Sequence, residues 1–397
     1  MKKYSVIGSA SILFLFLGLI YAWSIFTTPL ETEFGWTRNQ SSFTFTISII
    51  AFCVGALSAS PLLKRLNPTI ILICMGILIL CGLLICANLK HILQLYIFYG
   101  WFCGFATGCA YSTLLTIIPL WFPKHIGLAN GVGLLAFGVG SLLLSSILTA
   151  LINSSGWRNA FRILGIVATI IFLLFSFFIT RPNDKKLENR PIIIGYVGEV
   201  NTLWMLKRVD FWLYFFWLTM ISAMGLAIIG HAAPIAEDTG LETILLPLAV
   251  GCMSVCSGLG RLVSGFLYDR FGSVITLHIE TILGFLGCGF VLLACIYNQP
   301  ALLFIGYVFA GLSFGSVASI NASFVRTRYG SRFFTANFAM MSFSLIPAAV
   351  VGTYVSGVIR ANSQNYLSSV LIAIFYVLIS LIISLRIRKL VPEMVAI

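Results

Sequence analysis

Long apolar stretches recur along this chain at a length set by the thickness of a lipid bilayer. They fall at roughly 5–29, 43–63, 68–88, 92–122, 127–152 and 159–180, then at 209–234, 244–267, 273–296, 300–324, 332–357 and 365–387. A hydrocarbon core of ~30 Å takes about 20 helical residues to cross, whereas a barrel strand needs only ~9–11. Inside lipid every backbone polar group must be satisfied within the structure, which leaves helices for stretches of this length. The expected fold is an all-α integral membrane protein of about twelve transmembrane helices.

Composition agrees. Of the 397 residues, 59% are hydrophobic and 9% charged, whereas soluble domains carry about a quarter charged residues. The net charge of +12 in a soluble protein suggests nucleic acid. Here the basic residues are scattered between apolar stretches without interleaved aromatics, so no nucleic-acid partner is expected. With the N-terminus inside, 18 of the 24 Lys and Arg residues fall in cytoplasmic segments and five in outer ones. That bias expects both termini in the cytoplasm of a multi-pass cell-membrane protein embedded in the lipid bilayer. Met1-Lys2-Lys3 before an apolar run mimics a signal peptide, but the run reaches Pro29 without a small-residue cleavage site. It is read as the first span.

The ten cysteines all lie in apolar stretches. They read as packing residues, and Cys252 and Cys256, one turn apart, lack a His or carboxylate to complete a metal site. No phosphate-binding Gly-rich loop with Lys is present, nor a Ser/His/Asp or metal-ligand cluster. The chain is expected to be no enzyme and to need no cofactor or metal.

The longest polar break, 181–208, divides the chain into an N-terminal half, 1–180, and a C-terminal half, 209–397, of six spans each. The halves echo one another. Gly265-Phe266-Leu267-Tyr268-Asp269-Arg270-Phe271-Gly272 follows the eighth stretch, and Ser60-Pro61-Leu62-Leu63-Lys64-Arg65-Leu66-Asn67 follows the second. Parallel repeats of six helices are one known transporter layout.

The segment Gly265–Gly272 resembles the G-x-L-x-D-R-x-G loop of the major facilitator superfamily. That resemblance implies the major facilitator fold and a conformational role for Asp269, Arg270, Lys64 and Arg65: the loop pairs charges between helix ends and stabilises one access state. In the first copy Lys64 stands where the family has Asp, and Asn67 where it has Gly. Further segments are similar to the oxalate/formate antiporters and monocarboxylate transporters. They are Tyr21-Ala22-Trp23-Ser24-Ile25-Phe26, Glu33-Phe34-Gly35-Trp36, Trp121-Phe122-Pro123, Gly127-Leu128-Ala129-Asn130-Gly131, Ala136-Phe137-Gly138-Val139-Gly140-Ser141, Gly156-Trp157-Arg158 and Gly260-Arg261.

Arg261 lies eight residues before Asp269, ~12 Å along the helix and near mid-depth. A charge facing lipid there costs from a few to more than ten kcal/mol, so it must face a partner or a water-filled cavity. No Asp or Glu is expected at comparable depth, with Asp269 and Glu280 placed near the cytoplasmic edge. A structural arginine on backbone carbonyls is the plain reading. The sharper one is a carboxylate-binding guanidinium, with Ser257 and Ser264 one turn to either side. In the resembling families the matching arginine binds the substrate carboxylate.

The oxalate-type carriers also hold a lysine in the eleventh span. Here 338–357 contains no Lys or Arg, and one cation favours a singly charged substrate. Tyr21, Tyr111 and Asn337 are candidate substrate contacts. His231 is the candidate coupling residue, since histidine titrates near neutrality, although a lone histidine is more often a packing residue. The resulting expectation is a monomeric carrier that moves a small organic anion, foremost a monocarboxylate, by alternating access. It would be driven by a proton or a counter-anion. The alternative is efflux of a drug-like or siderophore-like compound. The lack of a buried acid counts against cationic drugs, and the short loops count against a receptor with a soluble output domain.

Overall fold

The computed structural model describes residues 2–19, 23–36, 38–123, 125–182, 198–242, 245–356, 359 and 366–390. Among these residues every regular element is helical. The helices are α1 (Lys2–Leu17), α2 (Trp23–Phe34), α3 (Arg38–Arg65), α4 (Pro68–Cys86), α5 (Ile92–Trp121) and α6 (Ile126–Ser176). After them come the short α7 (Thr202–Leu206), then α8 (Val209–Ile229), α9 (Ala232–Asp238), α10 (Leu246–Tyr297), α11 (Pro300–Tyr329), α12 (Phe334–Ser342), α13 (Leu345–Ala349) and α14 (Leu367–Leu390).

At 51 and 52 residues, α6 and α10 are each long enough for two crossings. Each is broken once, at a glycine. Gly156 takes φ 80° and Gly272 φ 78°, a region open to glycine and strained for side chains. The breaks fall where the sequence separates its fifth and sixth, and its eighth and ninth, apolar stretches. The first expected span comprises α1 and α2, with residues 20–22 between them outside the described part.

The spans are apolar on more than one face, as lipid requires. On α4, Ile71, Leu72, Ile79 and Leu83 are buried, while Ile70, Ile77 and Leu84 are exposed. Hydroxyls within the spans bond back to carbonyls one turn earlier. Examples are Thr107 to Cys103, Thr169 to Gly165, Thr219 to Phe215 and Thr281 to Leu277. This satisfies them without a second helix.

The helices form two compact units. Unit 1 holds Met1–Lys124, Ala136–Pro191 and Phe333–Met340; unit 2 holds His125–Leu135, Ile192–Arg332 and Met341–Ile397. Within each, one helix pair touches backbone to backbone through glycine. In unit 1 an added Cβ at Gly108 would meet Phe52 O at 1.9 Å, one at Gly104 would meet Ser48 O at 2.6 Å, and one at Gly55 would meet Phe105 O at 2.1 Å. In unit 2, Gly315 faces Ser257 O at 1.9 Å, Gly311 faces Met253 O at 2.7 Å, and Gly260 faces Leu312 O at 2.2 Å. The two sets match position for position along α3 and α5, and along α10 and α11. The internal repeat is therefore written in helix packing as well as in the loop motif. The same register sets Lys64 against Asp269, and Ala56 against Arg261.

No side chain, not even a methyl, fits at these points. Gly315→Ala is expected to cost roughly 1–3 kcal/mol or more through forced helix separation. Gly108→Ala should cost a similar amount in the other unit. Thermal unfolding in detergent reads both, and an unchanged midpoint for either would contradict the packing described.

Candidate functional site

Unit 2 carries Arg261, Asp269, Arg270 and His231, and unit 1 carries Lys64 and Arg65. Arg261 sits on the first arm of α10, 7% exposed. Its Nη1 donates to Leu134 O at 3.3 Å. This is the backbone-carbonyl contact of the plain reading. Ser257 and Ser264 are also buried, and Ser264 Oγ donates to Arg261 O at 3.3 Å. The helix approaches α6 closely here, since a Cβ on Gly131 would lie 2.8 Å from Arg261 O.

Asp269 lies two turns further along α10. Its Oδ1 accepts from Gly127 N and its Oδ2 from Leu128 N, both at 2.9 Å. These are among the first N–H groups of α6, which have no partner inside their own helix. A carboxylate there also meets the positive end of the helix dipole. The approach is tight: a Cβ on Gly127 would meet Gly265 O at 2.4 Å, and one on Gly265 would meet Gly127 O at 2.3 Å. The loop motif and the Gly127–Gly131 motif thus form one clasp. Its chemistry differs from the charge pairing that the resemblance implies, because Asp269 holds backbone amides. Arg270 is exposed and stacks over the ring of its neighbour Phe271 at 5.4 Å.

In the first repeat Lys64 and Arg65 are exposed at the end of α3. An ammonium has no acceptor for amide protons, so Lys64 cannot build the same clasp. Asp269→Asn removes the charge and one of two acceptors. It is expected to lower stability by about 1–2 kcal/mol, measured as thermal unfolding in detergent. A midpoint equal to wild type would show the clasp to be energetically idle.

The remaining candidates lie elsewhere. Tyr111 is buried in unit 1 among Phe14, Phe52, Phe137 and Phe338, with ring centroids 5.2–6.2 Å away. Asn337, fully buried, belongs to the same unit on α12. There Thr116 and Thr335 share a hydrogen bond of 2.9 Å. Tyr21 lies outside the described residues. His231 caps α9 in unit 2, its Nδ1 3.1 Å from Ala227 O and its ring 5.3 Å from that of Tyr366. It has the surroundings of a hydrogen-bonded packing residue.

Two further motif segments meet in unit 1. Arg158 forks onto Glu33 with Nη1 to Oε2 at 2.9 Å and Nη2 to Oε1 at 2.5 Å, while Trp157 Nε1 donates to Oε2 at 2.7 Å. These hydrogen bonds, led by that of Arg158, hold the Glu33 carboxyl below its ordinary range.

Two features escaped sequence reading. Asp210 in the first turn of α8 accepts from Arg328 Nε at 2.7 Å and from Arg208 Nε at 2.9 Å. The side chains of Asp210 and Arg328 are both 8% exposed. The second is Glu280. It was expected at an edge, but it lies eight residues past the Gly272 break, ~12 Å along its own helical arm. Arg261 lies eleven residues before the same break, ~16 Å along the first arm. Glu280 is 1% exposed. The signal was available: position on the second arm, counted from the glycine that starts it.

Comparison with known proteins accords with this architecture. Residues 8–350 match the Major Facilitator Superfamily. The uncharacterized MFS-type transporter YhjX of Escherichia coli is 24% identical over 82% of this chain and 80% of its own length. The oxalate:formate antiporter of Oxalobacter formigenes is 22% identical over 87% of this chain and 82% of its own length. Monocarboxylate transporter 13 of Rattus norvegicus is 20% identical over 90% and 82%. Among solved structures, the proton:xylose symporter XylE superposes with a TM-score of 0.79 at 14% identity, covering 99% of this chain and 96% of that one. FucP in its outward conformation gives 0.71 at 13%, covering 96% and 98%. With its twelve-helix fold, this chain belongs to the major facilitator superfamily, a multi-pass membrane transporter rather than an enzyme.

Proposed function

We propose that this transporter carries a small organic anion, foremost a monocarboxylate, by alternating access, with Arg261 as the carboxylate-binding group. The observation that carries the reading is a guanidinium buried near mid-depth between two buried serines. Such a charge is costly in a membrane unless it serves a ligand or pathway. Its planar fork suits a carboxylate in two-point contact. The names of the oxalate:formate antiporter and of monocarboxylate transporter 13 point to the same class of cargo. The lack of Lys or Arg in 338–357 favours one negative charge over two. Ser257 is the proposed helper, with Tyr111 and Asn337 as further contacts. The Asp269 clasp is proposed to hold one access state. The Lys/Arg asymmetry favours both termini in the cytoplasm.

The test is uptake of labelled lactate, acetate, formate, pyruvate and oxalate into proteoliposomes, with and without internal counter-anion and an imposed pH gradient. Saturable uptake of monocarboxylates, weaker for oxalate, is expected. A well-folded protein that takes up none of them would overturn the reading. Efflux of a drug-like compound would then lead. It gains one specific support from Glu280, because a buried acid suits a cationic drug and sequence reading had expected none.

A further inference from the structure

Glu280 belongs to no motif quoted above, and its surroundings specify what it binds. Its Oε2 is buried and has no hydrogen-bond partner among the described residues. Two hydroxyls of α11 approach this turn of α10. Ser313 Oγ donates to the backbone oxygen of Glu280 at 2.8 Å. Ser316 Oγ donates to Ser313 O at 2.6 Å and stands beside the Glu280 carboxyl.

The other elements packed here bring no compensating charge. From α8, Trp217 donates to Thr281 at 3.1 Å, and Met224 reaches within 2.9 Å of where a Gly284 Cβ would stand, one turn along from Glu280. From α14, the nearest charged group described is Arg386, exposed near the helix end. On its own arm the titratable neighbours are His278, whose Nδ1 lies 2.7 Å from Val274 O, and the buried Cys288. Arg261 is on the other arm of α10. An ionised carboxylate in such a place is among the most costly groups a membrane protein can hold.

We infer that Glu280 is the proton-binding site of the carrier, taking one proton with each anion. This rests on the anion-carrier reading and names its coupling ion. On the side of uptake, the Glu280 carboxylate accepts a proton from water and becomes a neutral acid. The substrate carboxylate binds Arg261. On the other side the acid returns its proton to water and the anion leaves. One proton and one monovalent anion cross together, so no net charge moves. The coupling role passes from His231 to Glu280.

Two measurements test this. Infrared difference spectra of the reconstituted protein across a pH titration need no substrate. Wild type should show the carbonyl stretch of a protonated carboxyl that Glu280→Gln lacks; identical spectra would overturn the assignment. In proteoliposomes, Glu280→Gln should lose at least tenfold of gradient-driven monocarboxylate uptake while anion exchange stays within about twofold of wild type. Equal loss of both modes, or of neither, would overturn it. Ser316→Ala guards against misfolding of the first variant. Removing the hydroxyl beside the carboxyl should move the pH profile of uptake, and an unmoved profile would count against the inference. If wild type transports no carboxylate yet the infrared band is present, the anion reading fails while the proton site stands.

Discussion

Arg261→Ala is expected to reduce monocarboxylate uptake by about two orders of magnitude without lowering the thermal stability of the protein. Hydrogen bonds to a charged group contribute roughly 1.5–3 kcal/mol each, and every 1.4 kcal/mol is tenfold in affinity. Losing a two-point contact therefore removes most binding at any practical substrate concentration. The folded protein, by contrast, is relieved of the cost of burying a charge and gives up the 3.3 Å bond to Leu134 O, effects of opposite sign. Arg261→Lys should recover a minor part only, because an ammonium keeps the charge and loses the planar fork. The readouts are initial uptake rates and melting in detergent. Uptake within about threefold of wild type in Arg261→Ala would reduce this residue to the structural arginine of the plain reading. A collapse of both uptake and folding would also count against a binding role.

The second large effect is on folding. Asp210→Ala is expected to cost about 3–5 kcal/mol, because it leaves Arg328 buried without its carboxylate. Such a loss is a large fraction of the net stability of most folded proteins, so the variant should be recovered poorly from membranes. Arg328→Ala should cost less, since Arg208 still holds Asp210 through Nε and through Nη2 at 3.0 Å. The double variant should fall short of the sum of the two, as expected for residues in direct contact. Monodispersity and melting of the purified variants decide this. Additive effects would mean that the pair is not coupled.

Much of the architecture was legible because lipid admits few solutions. Apolar length alone placed the spans. Gly272, which ends the loop motif, and Gly156, which opens the Gly156-Trp157-Arg158 segment, proved to be the points where two long helices break. Arg261 could be located by counting residues back from a recognisable helix end. Long-range partnership was not legible. Asp210 and Arg328 are 118 positions apart, and a polar residue close to a span end reads as a loop residue unless its partner is known. Asp269 was expected to pair with a charge. That its partners are the amides of Gly127 and Leu128 depends on a glycine-to-glycine approach that no one-dimensional pattern displays. Glu280 was misplaced for a simpler reason: depth was judged by proximity to a motif and not by turns of its own helix. Burial on every side then decides its chemistry, and burial is a property of neighbours.

The matched glycines have a consequence for how such a carrier changes its cargo. Both copies of the repeat keep the same backbone-to-backbone seams, yet only the second copy carries Arg261 and Asp269, where the first has Ala56 and Lys64. The packing scaffold is thus present in both copies while these charged groups are present in one. Mutational tolerance should be uneven: the seam positions intolerant in both copies, the charged positions intolerant in one. A lineage built this way can acquire a new substrate by editing a single helix face while the shared framework stays fixed.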